Sequence, residues 1–372
     1  MSKLYICLLS LFLISCSTKI KENSNIPTIA FDLEGKPFCK DEIVCDFIPL
    51  ETNEKSLIKK ISQIEFFDNR IFIFDNVNHL FLVFDMNGKF ITQVGDYGQG
   101  PGEYTLPIQF CIDKEKKAFI ICDIDTQKLV YYNLDNYTYM YTENVSRYTY
   151  CSLLENGKFV WFYTAGFNSE GKKYYLITTD QQFKNKNYLC QANFTSHFGM
   201  LTGSLFHNFD KKTFFHTSFE PTIWEITTNA TPRYNISFGK HKLPPLKWLK
   251  EQESSSVGYV MSIQNTNYVS AYNLTENSTF INVLYYVNKS IYLGFYNKQT
   301  KVNQKYTYPE FIKYAEIDGA MSEILGVYND YFIATLSPSI LKKYTIRRNN
   351  LRLIAEKISE EDNPILCLFK FK

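Results

Sequence analysis

Between Arg70 and Asp85 the chain reads RIFIFDNVNHLFLVFD: an apolar run, a short polar loop and a second apolar run. β-Branched and aromatic residues in runs of this length, bounded by Asp, Asn and His, predict two antiparallel strands. Ala118 to Asn133 (AFIICDIDTQKLVYYN) repeats the pattern at a shift of 48, bringing Asp75 onto Asp123, Val83 onto Tyr131 and Asp85 onto Asn133. Polar turns extend the series: Asp68-Asn69, Asp113 to Lys117, Glu155-Asn156-Gly157, Asp210 to Lys212, Thr275 to Ser278 and Asn329-Asp330 each precede an apolar strand. That makes six units. In the first five a second turn follows the third strand, at Asp85 to Gly88, Asn133 to Asn136, Thr179 to Gln182, Thr227 to Ala230 and Asn297 to Thr300.

A spacing of about 40 to 50 residues per four-stranded unit is the signature of propeller blades, which bury their apolar faces only by stacking on neighbours. The expectation is therefore all-β: a six-bladed β-propeller of four-stranded antiparallel blades over 29–372. The wide gap before Phe280 holds an insertion, where Leu243 to Ser256, with Pro244-Pro245, Trp248 and Glu251, predicts a short helix. In the last unit Ile340, Tyr344, Leu351, Ile354 and Ile358 fall near helical spacing after Ser337-Pro338, which predicts a C-terminal helix over 338–360. Two strands around Arg347 to Asn350 are the alternative. Strand 365–371 then serves as the third of the final blade, with strand 43–50 as its fourth, so that both ends of the chain close the ring.

The first residues differ from the rest. Lys3 precedes an apolar run from Leu4 to Ile14, too short to span a bilayer, which reads as a signal peptide over 1–15. Leu13-Ile14-Ser15-Cys16 resembles the lipobox of bacterial lipoproteins. A lipidated Cys16 and a polar tether over 16–28 are expected, placing the domain in the cell envelope; no acidic run follows Cys16 to mark it for the outer surface, so the periplasmic side is expected.

Phe47-Ile48-Pro49-Leu50-Glu51-Thr52, Gly95-Asp96-Tyr97-Gly98-Gln99-Gly100-Pro101-Gly102-Glu103-Tyr104 and Asp362-Asn363-Pro364-Ile365-Leu366 carry a further resemblance. With them the chain resembles the six-bladed β-propeller lipoproteins of polysaccharide-degrading bacteria, and more loosely NHL-repeat and TolB-like propellers. The resemblance implies fold and envelope location, and little chemistry.

Composition narrows the partners. Forty Lys+Arg against 38 Asp+Glu give a net charge of +2 with no basic block, so nucleic acid is not expected. A monomer is expected. Seven cysteines follow Cys16. Cys39 with Cys45, and Cys111 with Cys122, are candidate disulfides in an oxidising compartment, but their apolar surroundings favour buried thiols.

The glycine segment lacks the Lys-Ser/Thr of a phosphate loop and reads as a crossing between blades, leaving Gln99 and Glu103 as candidate ligand contacts. If Lys211-Lys212 is a two-residue turn, His207 and His216 oppose each other and could share a metal, although no third ligand is identifiable. No motif calls for a cofactor; calcium and zinc stay open. Asp75 and Asp123 are expected to accept N–H groups of the loops that follow them. Trp248, on the insertion, is the candidate exposed aromatic for stacking on a sugar. No Gly-x-Ser-x-Gly or His-Glu-x-x-His occurs. The functional expectation is a non-catalytic binding or scaffold propeller for a glycan, peptide or envelope protein. The alternative is a metal-dependent hydrolase or lyase using the central channel.

Overall fold

The computed structural model describes residues 26–34, 40–195, 205–252, 256–317 and 321–372. Cys16, Cys39 and His197 lie outside them. Two-residue turns define several blades: Asp68-Asn69, Asp210-Lys211 and Asn329-Asp330 all take positive φ at both positions. This is the geometry whose twist matches that of paired strands, and Asn and Asp tolerate it best. Blade 1 runs from Ile61–Phe67 to Phe90–Gln93, blade 2 from Pro107–Asp113 to Tyr139–Asn144 and blade 3 from Tyr150–Leu153 to Asn187–Gln191. Blade 4 runs from Phe206–Phe209 to Ala230–Ser237 and blade 5 from Ala271–Glu276 to Asn303–Thr307. Blade 6 joins Gly326–Tyr328, Tyr331–Leu336 and Ile365–Phe371 to Ile43–Pro49, with Ile43 opposite Phe371 and Pro49 opposite Ile365. The fold is an all-β six-bladed propeller with few helices.

The core lies between blades. Phe72, Phe74 and Phe81 of blade 1 pack on Phe110, Phe119 and Ile121 of blade 2, and Ile333 and Leu368 of blade 6 pack on Ile71 and Ile73 of blade 1. Alternate residues of each strand serve opposite interfaces, as period-2 geometry requires. One strand was not anticipated: Thr28–Ala30, at the expected end of the tether, runs parallel to the outer strand of blade 4.

Among the described residues five α-helices decorate the disk: α1 (Leu246–Glu251), α2 (Ser256–Ile263), α3 (Tyr308–Ala315), α4 (Pro338–Leu341) and α5 (Asn349–Ala355). The single helix expected over 338–360 is thus two. Arg348, between them, is buried, and its guanidinium donates to the Ala315 carbonyl at 3.0 and 2.6 Å and to the Ile43 carbonyl at 3.3 Å. That anchor breaks the helix and fixes α5 to the closing strand. α3 had a sequence signal that went unread, the capping box Thr307-x-x-Glu310 with Pro309 in the first turn.

Between blades 4 and 5 a buried carboxylate holds the interface. Glu276 accepts a fork from Arg233 at 2.7 and 3.0 Å and a bond from Lys298 at 3.0 Å, with His207 Nε2 at 3.8 Å. Burial alone would raise its pKa; His207 and the Arg233 fork prevail and hold it at about 2, against an ordinary 4.5. The stabilisation is therefore complete above the unfolded value near 4.5 and drains away as pH falls toward 2. Glu276→Gln strands two cations and lowers unfolding stability by about 3 kcal/mol at neutral pH. Urea titrations from pH 7 to pH 2 will show the wild-type advantage vanishing below pH 4.5; a difference that is constant with pH would contradict this assignment.

Candidate binding face

In a four-stranded meander, the entry to the first strand and the turn between the second and third lie at the same end. The connectors between blades and these turns therefore share one face, here called upper. On it, two carboxylates set the loops. Asp75 accepts the N–H groups of Lys59 (2.8 Å) and Lys60 (3.2 Å) from the incoming connector, and of Val77 (3.0 Å) and Asn78 (3.3 Å) from its own turn. Asp123 does the same in blade 2 for Thr105 (2.8 Å), Leu106 (3.2 Å) and Asp125 (3.1 Å). The expected contact with the following loop is present, and the grip on the preceding connector is an addition. Both residues are fully buried, so each ties two loops to one rigid point.

The glycine segment crosses from blade 1 to blade 2 as a compact plug. Asp96-Tyr97 pairs in parallel with Glu103-Tyr104. Gly95 (φ 67°) leaves room for the Tyr132 hydroxyl, which a Cβ would meet at 2.3 Å, and Gly102 (φ 77°) accepts from that same hydroxyl. Glu103 turns inward, its carboxylate accepting the Gly100 N–H at 2.7 Å, so it braces its own loop. Gln99 is exposed at the loop tip.

α1 and α2 form a platform on the connector from blade 4 to blade 5. α2 buries Tyr259 and Ile263 beside Leu249 and Phe194, and the Tyr259 hydroxyl donates to the Ser270 carbonyl at 3.1 Å. Trp248 is half-buried rather than free: its ring packs edge-on against Tyr259 and Tyr268, with centroids at 5.8 and 5.7 Å. Part of the anticipated sugar-stacking ring is used for packing, and the rest stays exposed. What faces solvent is the other side of α2, with Val257 at 66%, Val260 at 49% and Met261 at 66% exposure, and Leu246 of α1 at 41%. Positions i, i+3 and i+4 share a helix face. Lys240, Lys242, Lys247 and Lys250 on the same segment are exposed, as is Glu251 among the described residues; Glu253 lies outside them. This stripe was legible in Val257-x-x-Val260-Met261, but the predicted helix stopped short of it.

The histidines are placed differently from expectation. The turn is Asp210-Lys211, so His207 opposes Phe214, and His216 lies diagonal to it with ring centroids 6.3 Å apart. His216 is held by the Tyr272 carbonyl at 3.2 Å and stacks on the Tyr272 ring, while His207 looks toward Glu276. Burial, then the neighbouring His207, pushes His216 down to about 3, so it is neutral over the physiological range. The pair belongs to the interface between blades 4 and 5. Cys111 and Cys122 are likewise not bonded to each other; the six cysteines among the described residues are all buried free thiols.

In the innermost strand of blade 1, Glu65 is a carboxyl that sequence reading passed over. Burial first, and Cys111 second, push it up to about 8, so it is protonated at neutral pH. Gln63 donates to it at 3.0 Å. A single polar residue in an alternating strand gives no warning of such a site.

Solved structures place the fold among relatives. A protein from Bacteroides fragilis, provisionally described as exported, is similar at 26% identity, with a TM-score of 0.86 over 93% of this chain and 99% of that one. A member of the DUF4221 family from Bacteroides vulgatus shares the fold at 10% identity and TM-score 0.54, covering 90% of this chain and 99% of its own. No curated protein matches. Among the described residues no helix is long and apolar enough to cross a membrane. The model of a family described as "6-bladed beta-propeller", DUF5128, matches residues 18–335, and the chain belongs to that family.

Proposed function

We propose that this chain is an exported, lipid-anchored binding propeller that engages a protein partner through the α1–α2 platform. The observation that carries the reading is the apolar stripe Val257, Val260 and Met261 turned to solvent, on a segment that also carries exposed Lys240, Lys242, Lys247 and Lys250. A partner segment that pairs apolar side chains with carboxylates fits this surface. A glycan fits it less well, because the aromatic rings of the platform pack on one another. The magnitudes set the affinity class. Three side chains at about 2 kcal/mol each give about 6 kcal/mol gross. Losses on association run from about 4 to 15 kcal/mol, so the stripe alone supports only weak binding, and the lysines must contribute. The exported description of the Bacteroides fragilis relative supports the envelope location, and Lys3, the short apolar run and Cys16 support a lipid anchor on the periplasmic side.

Cys16→Ala is expected to abolish incorporation of a radiolabelled fatty acid and release the protein from membranes; equal labelling of both forms would refute the anchor. For the platform, the mature chain is tested on an array of acidic amphipathic peptides, with a glycan array and anionic vesicles alongside. Peptide binding should fall at least tenfold in Val257→Asp/Met261→Asp, with an unchanged melting temperature. Binding confined to glycans or vesicles, or peptide binding indifferent to these substitutions, would overturn the reading.

A further inference from the structure

The interfaces between blades 1 and 2 and between blades 2 and 3 are built to one plan, and the second departs from it at three positions. Gln63 clamps blade 1 to blade 2, donating to the Phe110 carbonyl at 2.8 Å and accepting the Phe110 N–H at 2.9 Å. Gln109 clamps blade 2 to blade 3 in the same way, through the carbonyl and N–H of Cys151. The clamps set the correspondence. Glu65 and Cys111 each lie two residues past the clamping glutamine. Phe74 and Cys122 each sit opposite it on the second strand, and Phe110 and Cys151 are the clamped residues.

At the first interface two of these three positions hold rings: Phe74 stacks on Phe81 at 4.6 Å and Phe110 on Phe119 at 4.8 Å. At the second, all three are cysteine. Their sulfurs lie within 4.8 Å of one another, with Cys122 Sγ 3.4 Å from Cys151 Sγ. Cys111, Cys122 and Cys151 are 7%, 0% and 3% exposed. They come from three strands in two blades. Among the described residues no other group of three or more His, Cys, Asp or Glu donors is close enough to share an ion.

We propose that Cys111, Cys122 and Cys151 form a binding site for one soft, thiophilic metal ion of the Zn(II) or Cu(I) class. Sulfur donors select such ions over calcium or magnesium, which take oxygen. A Zn–S bond of about 2.3 Å spaces tetrahedral ligands about 3.8 Å apart, so the sulfurs need move only by about 1 Å or less. Zn(II) would complete its shell with a water, whereas Cu(I) is satisfied by three sulfurs. Binding is not a redox step: each ligating S–H releases its proton to solvent, and the ion neutralises the resulting thiolates in part, leaving the site net negative. A small surface cleft where the connector from blade 2 meets blade 3, lined by Val145, Tyr148, Trp161 and Phe183, lies next to the cluster, since Tyr148 and Trp161 pack in the same core as the three cysteines.

The test uses the full-length chain in detergent, purified anaerobically with thiols reduced. One arm is titrated with Co(II) and then Zn(II), the other with the acetonitrile complex of Cu(I). One equivalent is expected to bind per chain, with Co(II) giving thiolate charge-transfer absorption that Zn(II) displaces. Cys122→Ser and Cys151→Ser should each weaken binding at least tenfold, while Cys190→Ser, a buried thiol elsewhere, leaves it unchanged. X-ray absorption on the wild-type adduct provides a readout independent of variant folding, and should show three sulfur scatterers. Binding of Zn(II) alone assigns the four-coordinate site, and of Cu(I) alone the three-coordinate one. No stoichiometric binding of either ion, a shell dominated by oxygen or nitrogen, or a Cys122–Cys151 disulfide in protein trapped directly from cells would overturn the proposal.

Discussion

Each blade is a sheet one layer thick, apolar on both faces, and stable only when wedged between two others. Six such sheets satisfy one another only if the ring closes, so the antiparallel pairing of Ile43–Pro49 with Ile365–Phe371 is the contact on which the rest depends. Burial of the two outer faces at the seam is gained only once the two ends of the chain have met, at the cost of closing a loop of some 300 residues. Because that cost grows slowly with loop length, an extensive seam can meet it. Asn363 reinforces the join. It accepts the Ile58 N–H at 2.7 Å and donates to the carbonyls of Glu51 and Ser56 at 2.8 and 2.7 Å, pinning the last strand to the connector that leaves the first.

Closure also explains two of the three motifs that carry the family resemblance. Phe47 to Thr52 and Asp362 to Leu366 lie some 310 residues apart in sequence and meet in one blade, where Asn363 N–H also donates to Thr52 Oγ1 at 2.8 Å. The third, the glycine segment, fills the gap between blades 1 and 2, where only a Cβ-free backbone clears Tyr132 and Tyr139. All three motifs thus have a structural role in the ring. The rigid upper face, with Asp75 and Asp123 each gripping two loops, offers a prearranged surface on which α1 and α2 project.

How much of this was legible follows from whether the signal is local. Hairpins were readable because Asp68-Asn69 and Asn329-Asp330 announce positive φ, and apolar alternation on either side fixes which face is buried. Blade count followed from repetition of those units. The histidine geometry was misjudged because the turn begins one residue earlier than assumed, which moves every cross-strand partner by two positions. The split between α4 and α5 depends on Arg348 reaching Ala315 and Ile43, contacts with no local trace. The cysteine cluster was legible only in part. Cys111 and Cys122 could be paired within blade 2 from the sequence, whereas Cys151 joins them only after blades 2 and 3 pack.

Native-state hydrogen exchange addresses the central claim directly. If the seam holds the ring, the amides of 43–48 and 365–371 that are hydrogen-bonded within the sheet exchange only through global unfolding, with the same opening free energy and denaturant dependence as Ile120 and Val283 in blades 2 and 5. If the seam instead opens at much lower free energy while those blade cores stay protected, the ring does not depend on its closing strands and the account fails.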